Sequence, residues 1–146
     1  MKICLVCSHG GHLTEILQLQ EAFEGHDAFF ITYDSVRTRQ LDRKYLLRNI
    51  GTNPIIMAQA SLSMLRILLR EKPKLIISTG SEIAIPAFYL AKLLRIKTVF
   101  IESWTRVDRP TGTGKIVYPV SDLFLVQWER LLPKYGKKAK YEGAIL

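Results

Sequence analysis

Short apolar runs alternate with amphipathic stretches along the whole chain. KICLVC (2–7) predicts a strand and SHGGH (8–12) a glycine turn. Residues 13–24 predict a helix with Leu13, Ile16, Leu17 and Phe23 on one face. DAFFITY (27–33) predicts a second strand, and SVRTRQLDRKYLLRN (35–49) is basic and partly helical. NPIIMA (53–58) reads as a short third strand, with Pro54 at its start where a missing donor is tolerated. A helix over 61–71, the strand LIISTG (75–80), a helix over 82–95 and the strand TVFIE (98–102) follow. A short helix within 111–120, the strand DLFLVQW (122–128) and a tail able to add a last short strand complete the series. Continuously apolar strands alternating with helices predict an α/β fold, with a mostly parallel sheet covered on both faces. The commonest such arrangement is doubly wound and Rossmann-like. No repeat, low-complexity run or linker interrupts the pattern, so residues 1–146 form one domain.

Composition narrows the partners rather than the fold. The chain has 146 residues, 48% of them hydrophobic, enough for a packed core. Lys and Arg outnumber Asp and Glu 21 to 13, a net +8 that suits an anionic partner. Cys4 and Cys7 are spaced Cys-x-x-Cys, but residues three apart on a strand point to opposite faces and cannot share a metal. No second Cys or His pair has zinc spacing, so no metal and no cofactor is expected. No run of eighteen apolar residues is present and the N-terminus begins directly as a strand, so neither a spanning helix nor a signal peptide is expected.

Two glycine turns carry the candidate chemistry. In SHGGH, Gly10 and Gly11 allow a ligand close to the backbone, and the helix that follows offers free N–H groups to phosphate. His12 sits at that mouth, where it can act as general base. STGSE (78–82) repeats the design, with Gly80 in the turn and Ser81 able to cap the next helix. Both turns would face one crevice at the sheet edge. TGTGK (111–115) is not a phosphate-binding P-loop, because Arg109 and Ile116 stand where Gly and Ser or Thr are required. The segment SLSMLRILLREKPK (61–74) carries more apolar residues than one core face needs, edged by arginines and lysines. Such a helix suits an anionic membrane interface through Leu62, Met64, Leu65, Arg66, Leu69 and Arg70. The basic stretch 37–48 lacks interleaved aromatics and no nucleic-acid motif is present, so no nucleic acid is expected as partner.

SHGGHLTEIL, STGSEIAIPAFYLAKLL and IESWTRVDRPTGTGKIVYPVSDLFLVQWE, in that order and spacing, resemble a known family. It is the acceptor and membrane-anchor subunit family of the two-chain N-acetylglucosaminyltransferase that extends dolichol-linked oligosaccharide; bacterial capsule and exopolysaccharide counterparts are closer still. The resemblance implies the N-terminal, acceptor-side half of a GT-B glycosyltransferase. A separate polypeptide would supply the other half and bind the nucleotide sugar, a UDP-sugar. The single-chain transferase that makes the lipid precursor of peptidoglycan is more distantly similar, at positions matching Gly10, Gly11, His12 and Glu102. The chain lacks the N-terminal membrane helix of eukaryotic members, and STGSE replaces their proline-containing turn. Both departures favour a prokaryotic polyprenyl acceptor at the cytoplasmic face of the membrane, bound peripherally.

The resemblance and the motifs together imply a metal-independent inverting transfer to a polyprenyl-diphosphate-linked saccharide. His12 or Glu102 would deprotonate the acceptor hydroxyl, and Gly10, Gly11, Thr79, Gly80, Ser81, Ser103 and Arg106 would hold phosphate and sugar. Trp104, Gln127, Trp128, Tyr141, Ile145 and Leu146 are expected to face the catalytic partner. His9 is given no role. Two other classes stay open: a non-catalytic membrane scaffold that only recruits the partner, and a self-sufficient nucleotide-binding enzyme, which a single Rossmann-like half leaves without a second wall.

Overall fold

The computed structural model describes residues 1–144. Its strands are β1 (Lys2–Val6), β2 (Asp27–Tyr33), β3 (Lys44–Leu47), β4 (Leu75–Ser78), β5 (Lys97–Ile101), β6 (Leu123–Val126) and β7 (Ala139–Tyr141). They form one sheet in the order β3-β2-β1-β4-β5-β6-β7, every neighbouring pair parallel. The helices are α1 (Gly11–Leu17), α2 (Pro54–Glu71), α3 (Ala84–Leu94), α4 (Gly112–Val117) and α5 (Leu132–Tyr135). This is the doubly wound, Rossmann-like α/β fold that the alternating pattern predicts.

The two faces of the sheet are clothed unequally. One packs Cys4, Val6, Phe29, Phe100 and Phe124 beneath α2, α3 and α4, through Met64, Leu68, Phe88 and Val117. The other packs Ile3, Leu5, Cys7, Ile77 and Ile101 against α1 through Leu13 and Ile16. Cys4 and Cys7 are both buried and free, and they fall in these two separate layers.

Three expectations are corrected. NPIIMA (53–58) is not a strand but the opening of α2. Asn53 caps it, its side-chain oxygen accepting from the Ile55 and Ile56 amides at 2.9 and 3.3 Å, and Pro54 takes the first helical position, where no amide is needed. The third strand lies earlier, at Lys44–Leu47, on the free edge of the sheet. The only helical turn within 35–49 is a short 3₁₀ segment, Thr38–Gln40. Finally, Ser81 does not cap α3: its hydroxyl donates to Glu82, and no side chain caps that helix.

Within α2, Ala60, Met64, Ile67 and Leu68 are buried at the spacing of one helical face. Ile55, Leu62 and Leu69, seven residues apart in turn, are 69%, 49% and 52% exposed on another. Met64, expected at a membrane, is fully buried against the sheet and is withdrawn from that face. Replacing Asn53 by Ala is expected to cost about 1 kcal/mol, the usual worth of such a cap. Urea unfolding should show a lower midpoint with an unchanged slope.

Candidate functional site

Strand order reverses between β1 and β4, and in parallel α/β sheets ligands gather beyond the strand ends at such a point. Val6 pairs with Ser78, so the SHGGH and STGSE turns leave the sheet side by side. Two hydrogen bonds clip them together. His12 Nδ1 lies 2.8 Å from the Thr79 carbonyl, and Thr79 Oγ1 donates to the His12 carbonyl at 2.6 Å. A carbonyl can only accept, so Nδ1 carries the proton of the neutral ring and Nε2 keeps its lone pair. The ring is half-buried, and Gly80 makes room for it: a Cβ there would lie 2.8 Å from His12 Cε1, on backbone with φ 126°.

The second turn therefore holds the histidine. Thr79 is fully buried and both its oxygens are committed to His12. The Gly80 amide donates to Ser78 Oγ at 3.1 Å. Ser81, at φ 77°, donates its hydroxyl to Glu82 at 2.7 Å, and Glu82 also accepts from Tyr33 at 2.8 Å. Burial and the Glu82 carboxylate together push the Tyr33 phenol well above its ordinary pKa. Of the groups expected to hold phosphate, the Thr79 oxygens, the Gly80 amide and the Ser81 hydroxyl are thus engaged within the protein. Gly10 and Gly11 are exposed, and a Cβ on either would meet nothing within 4 Å.

Glu102 is no base. It is fully buried at the end of β5 and its two oxygens accept from the Ser103 amide, the Thr111 amide and the Thr111 hydroxyl, each at 3.0 Å, and from the Tyr135 hydroxyl. A saturated, enclosed carboxylate cannot reach a substrate. It ties the loop 103–111 to its own root and to α5. Gly114 is packed so closely under this knot that a Cβ would collide with Tyr135 and Glu102. Burial and the neighbouring carboxylate hold the Tyr135 phenol far above its ordinary range.

The loop is fixed at a second point that nothing in the sequence marked. Glu15, 5% exposed on α1, accepts from Ser103 Oγ at 3.1 Å and from the Trp104 amide at 2.9 Å. Ser103 is thus buried and engaged, which corrects its assignment to the acceptor. Gln127 is likewise buried, donating to the Glu102 carbonyl at 2.9 Å, so it braces β5 and β6 instead of facing a partner. Trp128 donates its indole N–H to the Trp104 carbonyl at 2.6 Å, with ring centroids 6.0 Å apart. Trp104, past the end of β5, and Tyr141, the last residue of β7, are exposed. Ile145 and Leu146 lie outside the described residues. Arg106 is exposed on the loop, anchored by its amide to the Ser103 carbonyl at 3.0 Å. Sequence reasoning also passed over Arg37, whose guanidinium donates to the Gly10 carbonyl at 3.3 Å.

Burial raises the Glu15 carboxyl above its ordinary pKa, against the opposing bonds from Trp104 and Ser103, and its second oxygen has no partner among the described residues. The folded state therefore holds this proton more tightly than the unfolded chain. Stability falls as pH climbs from the ordinary carboxyl value through the raised one. Glu15→Gln keeps an acceptor for Ser103 and Trp104 while removing the buried charge. The variant is expected to melt no lower than the parent at pH 8 and to lose that part of the pH slope, as measured by thermal unfolding across pH 4–8.

Residues 28–145 match the family described as "Oligosaccharide biosynthesis protein Alg14 like". A UDP-N-acetylglucosamine transferase subunit of Yarrowia lipolytica is 29% identical over 125 residues, 79% of this chain and 57% of that protein. The Homo sapiens subunit of the same description is 28% identical over 181 aligned positions, covering 100% of this chain and 83% of its own length. Among solved structures, Acinetobacter baumannii MurG superposes with TM-score 0.81 at 17% identity, over 99% of this chain and 45% of that one. A UDP-GlcNAc 2-epimerase from Methanocaldococcus jannaschii gives 0.79 at 18%, over 99% and 46%. The chain thus spans less than half of these solved chains, with which it shares the fold. By the match over residues 28–145, the chain belongs to the Alg14-like family of oligosaccharide biosynthesis proteins.

Proposed function

We propose that this chain is the acceptor-binding, membrane-recruiting subunit of a two-chain glycosyltransferase. The complex moves a sugar from a nucleotide sugar, a UDP-sugar, onto a saccharide linked to polyprenyl diphosphate. The observation that carries the proposal is the His12–Thr79 clip at the switch point, in a member of this family. It leaves Nε2 of a neutral imidazole free to take the proton of an acceptor hydroxyl as the glycosidic bond forms. Gly10, Gly11 and Arg106 line the acceptor side. The nucleotide sugar is held by a partner subunit that supplies the other GT-B half. Trp104, Trp128 and Tyr141 are the partner contacts, gathered where β5, β6 and β7 end.

The membrane reading rests on the exposed face of α2. Ile55, Leu62 and Leu69 form its apolar stripe, Arg66 and Arg70 are exposed beside it, and Leu65 is half-buried. The stripe runs into a groove of about 310 Å³ lined by Leu68, Leu69, Pro73, Leu94 and Ile96 and edged by Lys72, Lys74 and Arg95. Leu93, 79% exposed on α3, extends the apolar area. No helix among the described residues is long and apolar enough to cross a membrane, so contact would be at the surface.

Two measurements test this. His12→Ala is expected to leave complex assembly intact and to lower the transfer rate at least about 100-fold, the size of a general-base contribution. Near-normal turnover would leave the scaffold reading in its place. Leu62→Glu with Leu69→Glu is expected to abolish cosedimentation with vesicles rich in anionic lipid while leaving the melting temperature unchanged, since both side chains are half exposed.

A further inference from the structure

We propose that Arg37 is the anion-binding side chain of the acceptor site, reaching over the Gly10–Gly11 turn to pair with the diphosphate of the acceptor. The inference rests on the acceptor-binding reading above and names a residue for it. α1 has only seven residues and no side-chain cap, so its dipole is a weak source of positive potential. A dianionic group placed there needs a formal charge.

Arg37 is held by an unusually rigid turn. Ser35 and Thr38 bond reciprocally, the Ser35 amide to Thr38 Oγ1 at 2.9 Å and the Thr38 amide to Ser35 Oγ at 3.1 Å. Thr38, fully buried, donates to the Tyr33 carbonyl at 2.6 Å, which fixes the turn to the end of β2. Two arginines leave this turn with opposite fates. Arg39 is neutralised by Asp34 through two bonds of 2.7 and 3.0 Å. Arg37 is exposed and pairs with no carboxylate among the described residues; its one partner in the turn opposite is the Gly10 carbonyl, 3.3 Å away.

One N–H of the guanidinium is used there, and a Cβ added at either glycine of the turn would meet nothing within 4 Å. A guanidinium matches phosphate oxygens in pairs, and the Gly10 carbonyl, which also accepts from the Leu13 and Thr14 amides, engages only one of its N–H groups. The bland alternative is that Arg37 merely staples two turns. That role would affect stability but would not distinguish anions.

The test titrates the full-length chain with inorganic pyrophosphate by calorimetry. Arg37→Gln is expected to weaken binding at least ten-fold, Arg37→Lys to weaken it less, and Arg39→Gln to change it under two-fold. Equal losses in the Arg37 and Arg39 variants, or no pyrophosphate binding by the parent chain, would overturn the proposal. In the two-chain complex, Arg37→Gln should raise KM for the polyprenyl-diphosphate acceptor about ten-fold with kcat changed less than three-fold. Unchanged KM there also overturns it. If pyrophosphate binding depends on Arg37 but the parent complex transfers no sugar, the glycosyltransferase reading fails and the anion site stands.

Discussion

The parallel pairing of β1 with β4 is the constraint on which the site depends. It sets Val6 beside Ser78, so the two turns that follow emerge within hydrogen-bonding reach of one another. Everything distinctive at the rim descends from that adjacency. Thr79 can hold the imidazole and the backbone of His12 at once, Gly80 must lack a side chain, and the ring is left with one free nitrogen. Without the crossover through α2, the same two turns would lie on unrelated parts of the molecule.

A second, independent fastening works from the other side of the reversal. The loop after β5 is tied by Glu102 to Thr111 and Tyr135 and by Glu15 to α1. Buried carboxylates are tolerated only where donors meet them, and here they meet backbone amides and hydroxyls in place of cations. That choice gives direction: each carboxylate oxygen that is met specifies where a particular amide or hydroxyl must sit. The exposed residues of the loop, Trp104 and Arg106, are thereby presented on a loop bonded at both ends to buried carboxylates. The site is thus assembled from short polar bridges laid over a sheet whose two apolar layers do the work of stability.

The alternation of apolar runs was enough to predict the parallel sheet, and the glycine turns were enough to find the rim. What escaped was pairing at a distance. Glu15 looks like any surface carboxylate on a helix, and only the folded chain brings Ser103 and Trp104 to it. Glu102 resembled a catalytic base because it ends a strand; its saturation by Thr111 and Tyr135 depends on residues nine and thirty-three positions away. Other misses were local and avoidable. Asn-Pro before Ile-Ile-Met carries the signature of a capped helix start, but the β-branched pair suggested a strand. β3 was hidden because an edge strand needs few apolar residues, and Lys44–Leu47 sits in a basic stretch. Gln127 and Met64 were assigned to the surface from their neighbours, whereas the pleat and the helical turn carry both inward.

The thiols of Cys4, in β1, and Cys7, just past its end, have a use of their own. Cys4 lies in the layer under α2 and α3, Cys7 in the layer under α1. Burial lifts both thiols, Cys7 to about 12, so neither is reactive while its layer is closed. The rate at which each is alkylated under native conditions therefore reports the transient opening of one layer alone. Four consecutive residues, 4–7, carry two separate clocks, one for each side of the sheet.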